Sequence, residues 1–307
     1  MTRDATSAPA ILPAAETAGS RGRSRLGGLT QYAGFVPALV LFGLFFVVPL
    51  GLIVAYSFWQ TVDYNVVHIW TLDNYRYFFS VSTYVSTMWA TIWVSVAATA
   101  ATIAIAFPFT YWLVRYVSRA RQRLLLVLVI LPFWTSYLLR VYSWLNILGD
   151  GGAINRFLQW AHFTDHPLSF FLYDRPAVIL VLVYLYFPFA VLTLWVSLER
   201  FDWDQFKAAM DLGARPRTAI TRILIPQMRA GITTAVIFVF IPILGEYLAP
   251  QLVGGAQGVM IGNLIVNFFT GAQYTRGAAA ALLIAAMIIV LLIIFRRSLD
   301  VEDATRA

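Results

Sequence analysis

Two ionisable side chains stand where ionisable side chains are costly. Arg140 and Glu246 fall within, or at the end of, long apolar runs. A charge in hydrocarbon costs at least about 2.5–3.5 kcal/mol on insertion scales, so such residues face a protein interior or a water-filled route. A carboxylate at Glu246 on such a route would attract a cationic amine. Trp134, Tyr137, Tyr142 and Tyr247 offer aromatic faces that hold a cation through the ring quadrupole. A structural role is open as well, and for Arg140 it is the favoured one: Arg140 and Glu246 pair with each other or with a partner subunit. Arginine repels a cationic solute, so a place for Arg140 on the route requires that it be neutralised. Asn263 and Asn267 add polar groups near the external mouth.

Other chemistry is missing from the sequence. There is no Cys, which excludes disulfides, thiolate zinc sites and iron–sulfur clusters. Neither His-Glu-x-x-His nor Gly-x-Ser-x-Gly occurs. His162 and His166 have i, i+4 spacing beside Pro167, but two ligands without a third read as loop residues, and no metal is expected. A phosphate-cradling Gly-x-x-x-x-Gly-Lys-Ser/Thr loop needs its lysine after a glycine; the only lysine, Lys207, lies between Phe206 and Ala208. The chain is therefore expected to be no enzyme and to carry no cofactor. ATP and its magnesium would be bound by another polypeptide.

The elements that must position these residues follow from composition. Of 307 residues, 60% are hydrophobic and 12% charged, against about 45–50% and about 25% in soluble domains. An ordinary soluble fold could not bury so much apolar surface, so lipid is part of the solvent. Runs of about 17–25 apolar residues span a bilayer, and six are read: 34–57, 88–114, 124–146, 176–198, 231–250 and 278–295. Glu246 and Pro250 interrupt the fifth. The expected fold is an all-α integral membrane protein with six transmembrane helices over 31–298, a disordered tail at 1–30 and a short tail at 299–307. Pro108, Pro132, Pro188 and Pro242 fall within runs and predict kinks.

The formal charge of +7 raises nucleic acid or a membrane surface as partners. Position decides. Seventeen basic residues lie in the two tails and the connections after the second and fourth runs, and four lie in the alternate connections. Positive charge is retained on the cytoplasmic side during insertion, so both termini and residues 199–230 are expected in the cytoplasm. The charge then needs no nucleic acid.

Six of those basic residues crowd residues 199–230, where local signals are strong. Asp202 followed by Gln205 resembles a capping box opening a short helix. Gly213 suits its C-terminal stop, and Pro216 suits the first turn of a second helix. Two short helices with small residues at Ala208 and Ala209 form a knob that either fits a groove on a partner or lies on lipid.

The spacing Lys207-Ala208-Ala209-Met210-Asp211-Leu212-Gly213, nine residues, then Ile223-Leu224-Ile225-Pro226 resembles the EAA loop of binding-protein-dependent ABC importer permeases. Lys207 replaces the motif glutamate and Ile225 the leucine before the proline. Pro132-Phe133-Trp134-Thr135-Ser136, Leu244-Gly245-Glu246-Tyr247-Leu248-Ala249-Pro250 and Thr71-Leu72-Asp73-Asn74-Tyr75 are similar to segments of the spermidine/putrescine-type branch, nearest its first permease subunit. The resemblance implies a type I ABC importer permease fold in a bacterial plasma membrane. It further implies a second permease, two ATP-binding subunits docked through Lys207, Ala208, Ala209, Asp211, Leu212, Gly213 and Pro226, and an external substrate-binding protein. A secondary transporter, which should show an internal repeat, and a membrane enzyme, which should show a polar catalytic cluster, are the alternatives; neither feature is visible.

Overall fold

The computed structural model describes residues 35–166 and 172–299. The tail expected at 1–30 and the residues beyond Leu299 lie outside the described residues. The apolar runs are helical because a helix satisfies its own backbone groups where no water can. In chain order these are α1 (Val36–Phe58), α2 (Asp73–Ser80), α3 (Ser82–Tyr116), α4 (Arg119–Trp134), α5 (Tyr137–Leu148) and α6 (Ala153–Trp160). There follow α7 (Arg175–Glu199), α8 (Trp203–Asp211), α9 (Pro216–Gln227), α10 (Arg229–Leu244), α11 (Leu248–Val253), α12 (Ile261–Thr270) and α13 (Tyr274–Leu299). By contacts the chain divides between Gly51 and Leu52. The first unit contains the start of α1, where Phe42 and Phe46 stack at 5.0 Å.

Four helices, α1, α3, α7 and α13, are each long and apolar enough to cross a bilayer. Two further spans are present if each of two bent helix pairs counts as one. The first pair corrects the reading of the third run as a single helix, while the second bends at Met228, ahead of the fifth run. The third run turns through 94° between Trp134 and Tyr137, because Pro132 withholds an amide and tightens Leu131–Trp134 into a 3-10 turn. Thr135 then donates its hydroxyl to the Pro132 carbonyl at 2.6 Å. The fifth run stops at Leu244, and α9 meets α10 at 71°. Pro108 and Pro188 instead sit inside uninterrupted helices.

In the second unit, α3 and α7 form the most extensive helix contact, with α10 against both. Val94, Ala98, Ala106 and Leu113 of α3 meet a core that includes Val181, Leu185 and Leu194 of α7 and Val239 of α10. Small side chains let membrane helices approach closely. The buried α3 threonines Thr102 and Thr110 return their hydroxyls to the carbonyls four residues back, at 2.7 and 2.6 Å. Gly231 at the start of α10 lies so near α7 that a Cβ there would stand 2.2 Å from the Ser197 hydroxyl.

The connection after α1 is a hairpin, β1 (Gln60–Val62) with β2 (Asn65–Val67) antiparallel. Both turn residues, Asp63 and Tyr64, have positive φ, matching the twist of a two-residue hairpin turn. Asn74 fastens this region by donating to the carbonyls of Ser57 at 2.9 Å and Trp59 at 2.7 Å.

Candidate functional site

Two places gather the residues singled out by sequence: a buried carboxylate at the end of α10 and an exposed knob made by α8 and α9.

Glu246 follows the end of α10 and is only 8% exposed. One carboxylate oxygen accepts the backbone amides of Tyr247 and Leu248, at 3.0 and 2.9 Å, and so caps the entry to α11. The other accepts the Tyr137 hydroxyl and, at 3.2 Å, the Tyr186 hydroxyl. Four donors therefore converge on one buried anion, tying α5, α7 and α11 together; hydrogen bonds to a charged acceptor are the stronger kind. Gly262 must be glycine for this packing, since a Cβ there would stand 2.5 Å from the Glu246 carbonyl oxygen. Asn263, expected as a free polar group at the external mouth, is buried instead. Its amide nitrogen donates to the Tyr247 carbonyl at 2.7 Å and its oxygen accepts the Met260 amide at 3.1 Å. Asn267 is exposed.

Arg140 does not pair with Glu246. The ion pairs among the described residues are Arg76–Asp73, Arg119–Glu199 and Lys207–Asp204. Arg140 instead lies over the rings of Phe133 at 4.7 Å and Tyr137 at 5.4 Å. Tyr137 thus touches both charges, giving its hydroxyl to Glu246 and its face to Arg140. The other aromatics point outward: Trp134 is 84% exposed, and Tyr142 and Tyr247 are each 43% exposed. They lie on the chain's surface, whereas Tyr137 is held inside. Tyr186 was not marked by sequence, being one of two tyrosines, with Tyr184, in an otherwise apolar run; only the fold brings it to Glu246.

The knob follows its local signals closely. The Asp202 carboxylate accepts the Asp204 amide at 3.0 Å and opens α8. Gln205 reaches that same carboxylate at 3.2 Å, so the reciprocal bond of a full capping box is not made. Gly213 has φ +87°. Its amide bonds Met210 and the Ala214 amide bonds Ala209, at 2.9 and 3.0 Å, the paired bonds of a Schellman stop. Pro216 starts α9, which continues through a π turn at Ile220–Leu224 to Pro226 and Gln227. Gln227 donates to Gln205 at 2.6 Å and clamps the end of α9 to α8. Phe206 anchors the knob in the core, and Arg115 at the end of α3 covers the Trp203 ring at 5.3 Å. Outward from this anchor lie Ala208, Asp211, Gly213 and Leu212, the last 90% exposed; Ala209 is half-buried. Lys207 spends its charge on Asp204 at 2.8 Å, which holds the Asp204 carboxyl below its ordinary range through that hydrogen bond and charge.

An open cavity of about 650 Å³ lies behind the knob, where Ser197 and Arg200 face Gln227 and Gly231.

No family model matches the chain. It is 34% identical over 238 residues to the spermidine/putrescine transport system permease protein PotB of Escherichia coli K12, covering 77% of this chain and 86% of that protein. It is 33% identical over 199 residues to PotB of Haemophilus influenzae, 65% of this chain and 68% of the relative. It is 31% identical over 252 residues to the inner membrane ABC transporter permease protein YdcU of E. coli K12, 78% and 79% of the two chains. Among solved structures, a chain of a bacterial alginate ABC transporter in complex with an alginate pentasaccharide-bound periplasmic protein superposes with TM-score 0.71 at 17% identity. That match covers 89% of this chain and 96% of the other, and establishes a shared fold. With a multi-pass apolar helix set, an EAA-like connector folded as a protruding helix pair, and these identities, the chain belongs to the family of ABC transporter permeases that includes the PotB proteins.

Proposed function

We propose that this chain is one of two permeases in an ATP-driven importer that carries a small cationic solute, such as spermidine or putrescine, across the bacterial inner membrane. The observation that carries the reading is the knob. Its helices are capped and clamped internally, and its anchor is buried. It presents Ala208, Asp211, Leu212 and Gly213 outward, with Leu212 90% exposed, the form a short helical element takes when it seats in a partner's groove. An ATPase subunit docked over Ala208, Ala209, Leu212 and Gly213 would transmit its closure through Phe206 and Trp203 to α3 and through Gln227 to α9. ATP and magnesium would bind in two such ATPases, and an external binding protein would deliver the solute. In this reading both termini and the knob are cytoplasmic, the spans are α1, α3, the bent pair of α4 with α5, α7, α10 and α13, and the protein has six.

The cationic substrate is drawn from the relatives' names and from the site's chemistry. The alginate transporter carries an acidic polysaccharide on the same fold, so the fold leaves substrate charge undecided. On this chain, Trp134, Tyr142 and Tyr247 would supply aromatic faces to the route. Glu246 would supply negative potential from behind Tyr137.

Uptake into proteoliposomes tests the reading. Labelled spermidine or putrescine should enter only when the second permease, the ATPase, the binding protein and ATP are all present. Uptake by this chain alone would make it a secondary transporter and overturn the proposal.

A further inference from the structure

Among the described residues no carboxylate forms an ion pair with Arg140. It lies in an apolar stretch whose neighbours in the bent pair are Phe133, Tyr137 and Val141. Its Nε is shut off from solvent without a hydrogen-bond partner, and no ion pair reaches its guanidinium among the described residues. The carboxylate that shares Tyr137 with it, Glu246, already has four donors. The chain's remaining acids outside the described residues, Asp4, Glu16, Asp300, Glu302 and Asp303, belong to its terminal segments, and α1 contains no acid at all.

The surroundings of Arg140 are nevertheless shaped. It lines an open cavity of about 370 Å³ with Pro132, Thr135, Ser143, Trp144 and Tyr184. Cation–π contacts with Phe133 and Tyr137 fix the guanidinium in place. Leu139, which also lines the cavity, is 62% exposed, and its chain neighbours Trp134 and Leu138 are 84% and 44% exposed. A pre-oriented arginine fork at the centre of an apolar rim suits a planar, bidentate carboxylate. Charges in such settings are paired with one another or with backbone carbonyls.

We infer that Arg140 is the docking point for a membrane-embedded Asp or Glu of the second permease, whose helix closes over the Trp134–Leu139 rim. The inference rests on reading the chain as one of two permeases, and it deepens that reading. The contact has a consequence for transport: an arginine neutralised at the subunit interface no longer repels a cation passing the aromatic faces beside it. The pairing is also selective, because a second copy of this chain would bring arginine to arginine.

The test uses the two permeases coexpressed with their ATPase and purified in nanodiscs. Arg140→Glu should lower recovery of the second permease at least tenfold. Arg140→Met, which keeps volume and removes charge, should lower it by a similar factor while this chain stays monodisperse. Exchanging one membrane Asp or Glu of the second permease for Arg should restore pairing with Arg140→Glu, and that exchange identifies the partner residue. Normal assembly of both Arg140 variants would overturn the inference, as would loss of a bound anionic lipid with the permeases still paired. Failure of the unmodified chain to recover any second permease would overturn the two-permease reading instead.

Discussion

The exposed knob and the buried carboxylate use the same hydrogen-bonding devices to opposite ends. In the knob, Asp202, Gly213 and Pro216 act on amides and carbonyls within a few residues, so the turn forms locally and leaves its apolar tip free. At the membrane break, Glu246 also caps a helix, but its second oxygen reaches tyrosines 109 and 60 residues away. Local capping makes a unit that moves as a block. Long-range capping joins helices that would otherwise slide. A docking element and a structural node therefore differ in how far their polar groups reach.

The largest expected effect comes from breaking the node. Glu246→Leu strands two phenols and two backbone amides, and each unsatisfied buried donor costs about 1–3 kcal/mol. A total loss of at least about 3 kcal/mol should lower the melting temperature by roughly 6–12 °C, read by thermal unfolding in detergent. Glu246→Gln, which keeps an acceptor, should melt closer to the parent; unchanged polyamine uptake in that variant would remove the charge from the solute route.

Leu212→Asp should act oppositely. Melting should stay unchanged because the side chain is 90% exposed, while transport-coupled ATP hydrolysis falls at least tenfold. Normal coupling would mean that the ATPase docks elsewhere. Tyr137→Phe removes one charge-assisted hydrogen bond, about 1.5–3 kcal/mol, and should loosen the join between α5 and the break; thermal unfolding would show it. Gly213→Ala forces a Cβ into the left-handed region, about 1–2 kcal/mol. It should raise protease cleavage between α8 and α9 without disturbing the spans.

The smallest effect is expected at Lys207. Its partner Asp204 is fully exposed and has its pKa lowered by the pair. A depressed carboxyl contributes stability above its ordinary value and loses it as pH falls through the lowered one. Lys207→Glu should abolish that acid-side dependence below about pH 4 by removing the pair's small contribution at neutral pH, and should retain coupling. Lost coupling would show that the lysine itself contacts the ATPase.

Much of this was legible in the residues. The six apolar runs match helices within several residues at most of their ends, because lipid forces the chain to bond its own backbone. The departures have local causes. Pro132 marked a kink, yet a proline specifies only its own φ and a missing donor, not a 94° turn. Gln205 was placed on the Asp202 backbone, but its flexible amide found the carboxylate and Gln227 instead. Asn263 carried no sign of which of its neighbours it would satisfy.

By itself the sequence determined that the chain lives in a membrane, where its helices lie and where its connector turns, since these depend on apolar run length and on backbone rules acting over a few residues. Only the tertiary structure decided that Glu246 takes Tyr137 and Tyr186, that Arg140 meets no carboxylate among the described residues, and that Leu212 stands outside. Those outcomes depend on which distant helices meet, and no spacing along the chain encodes a desolvated contact made across it.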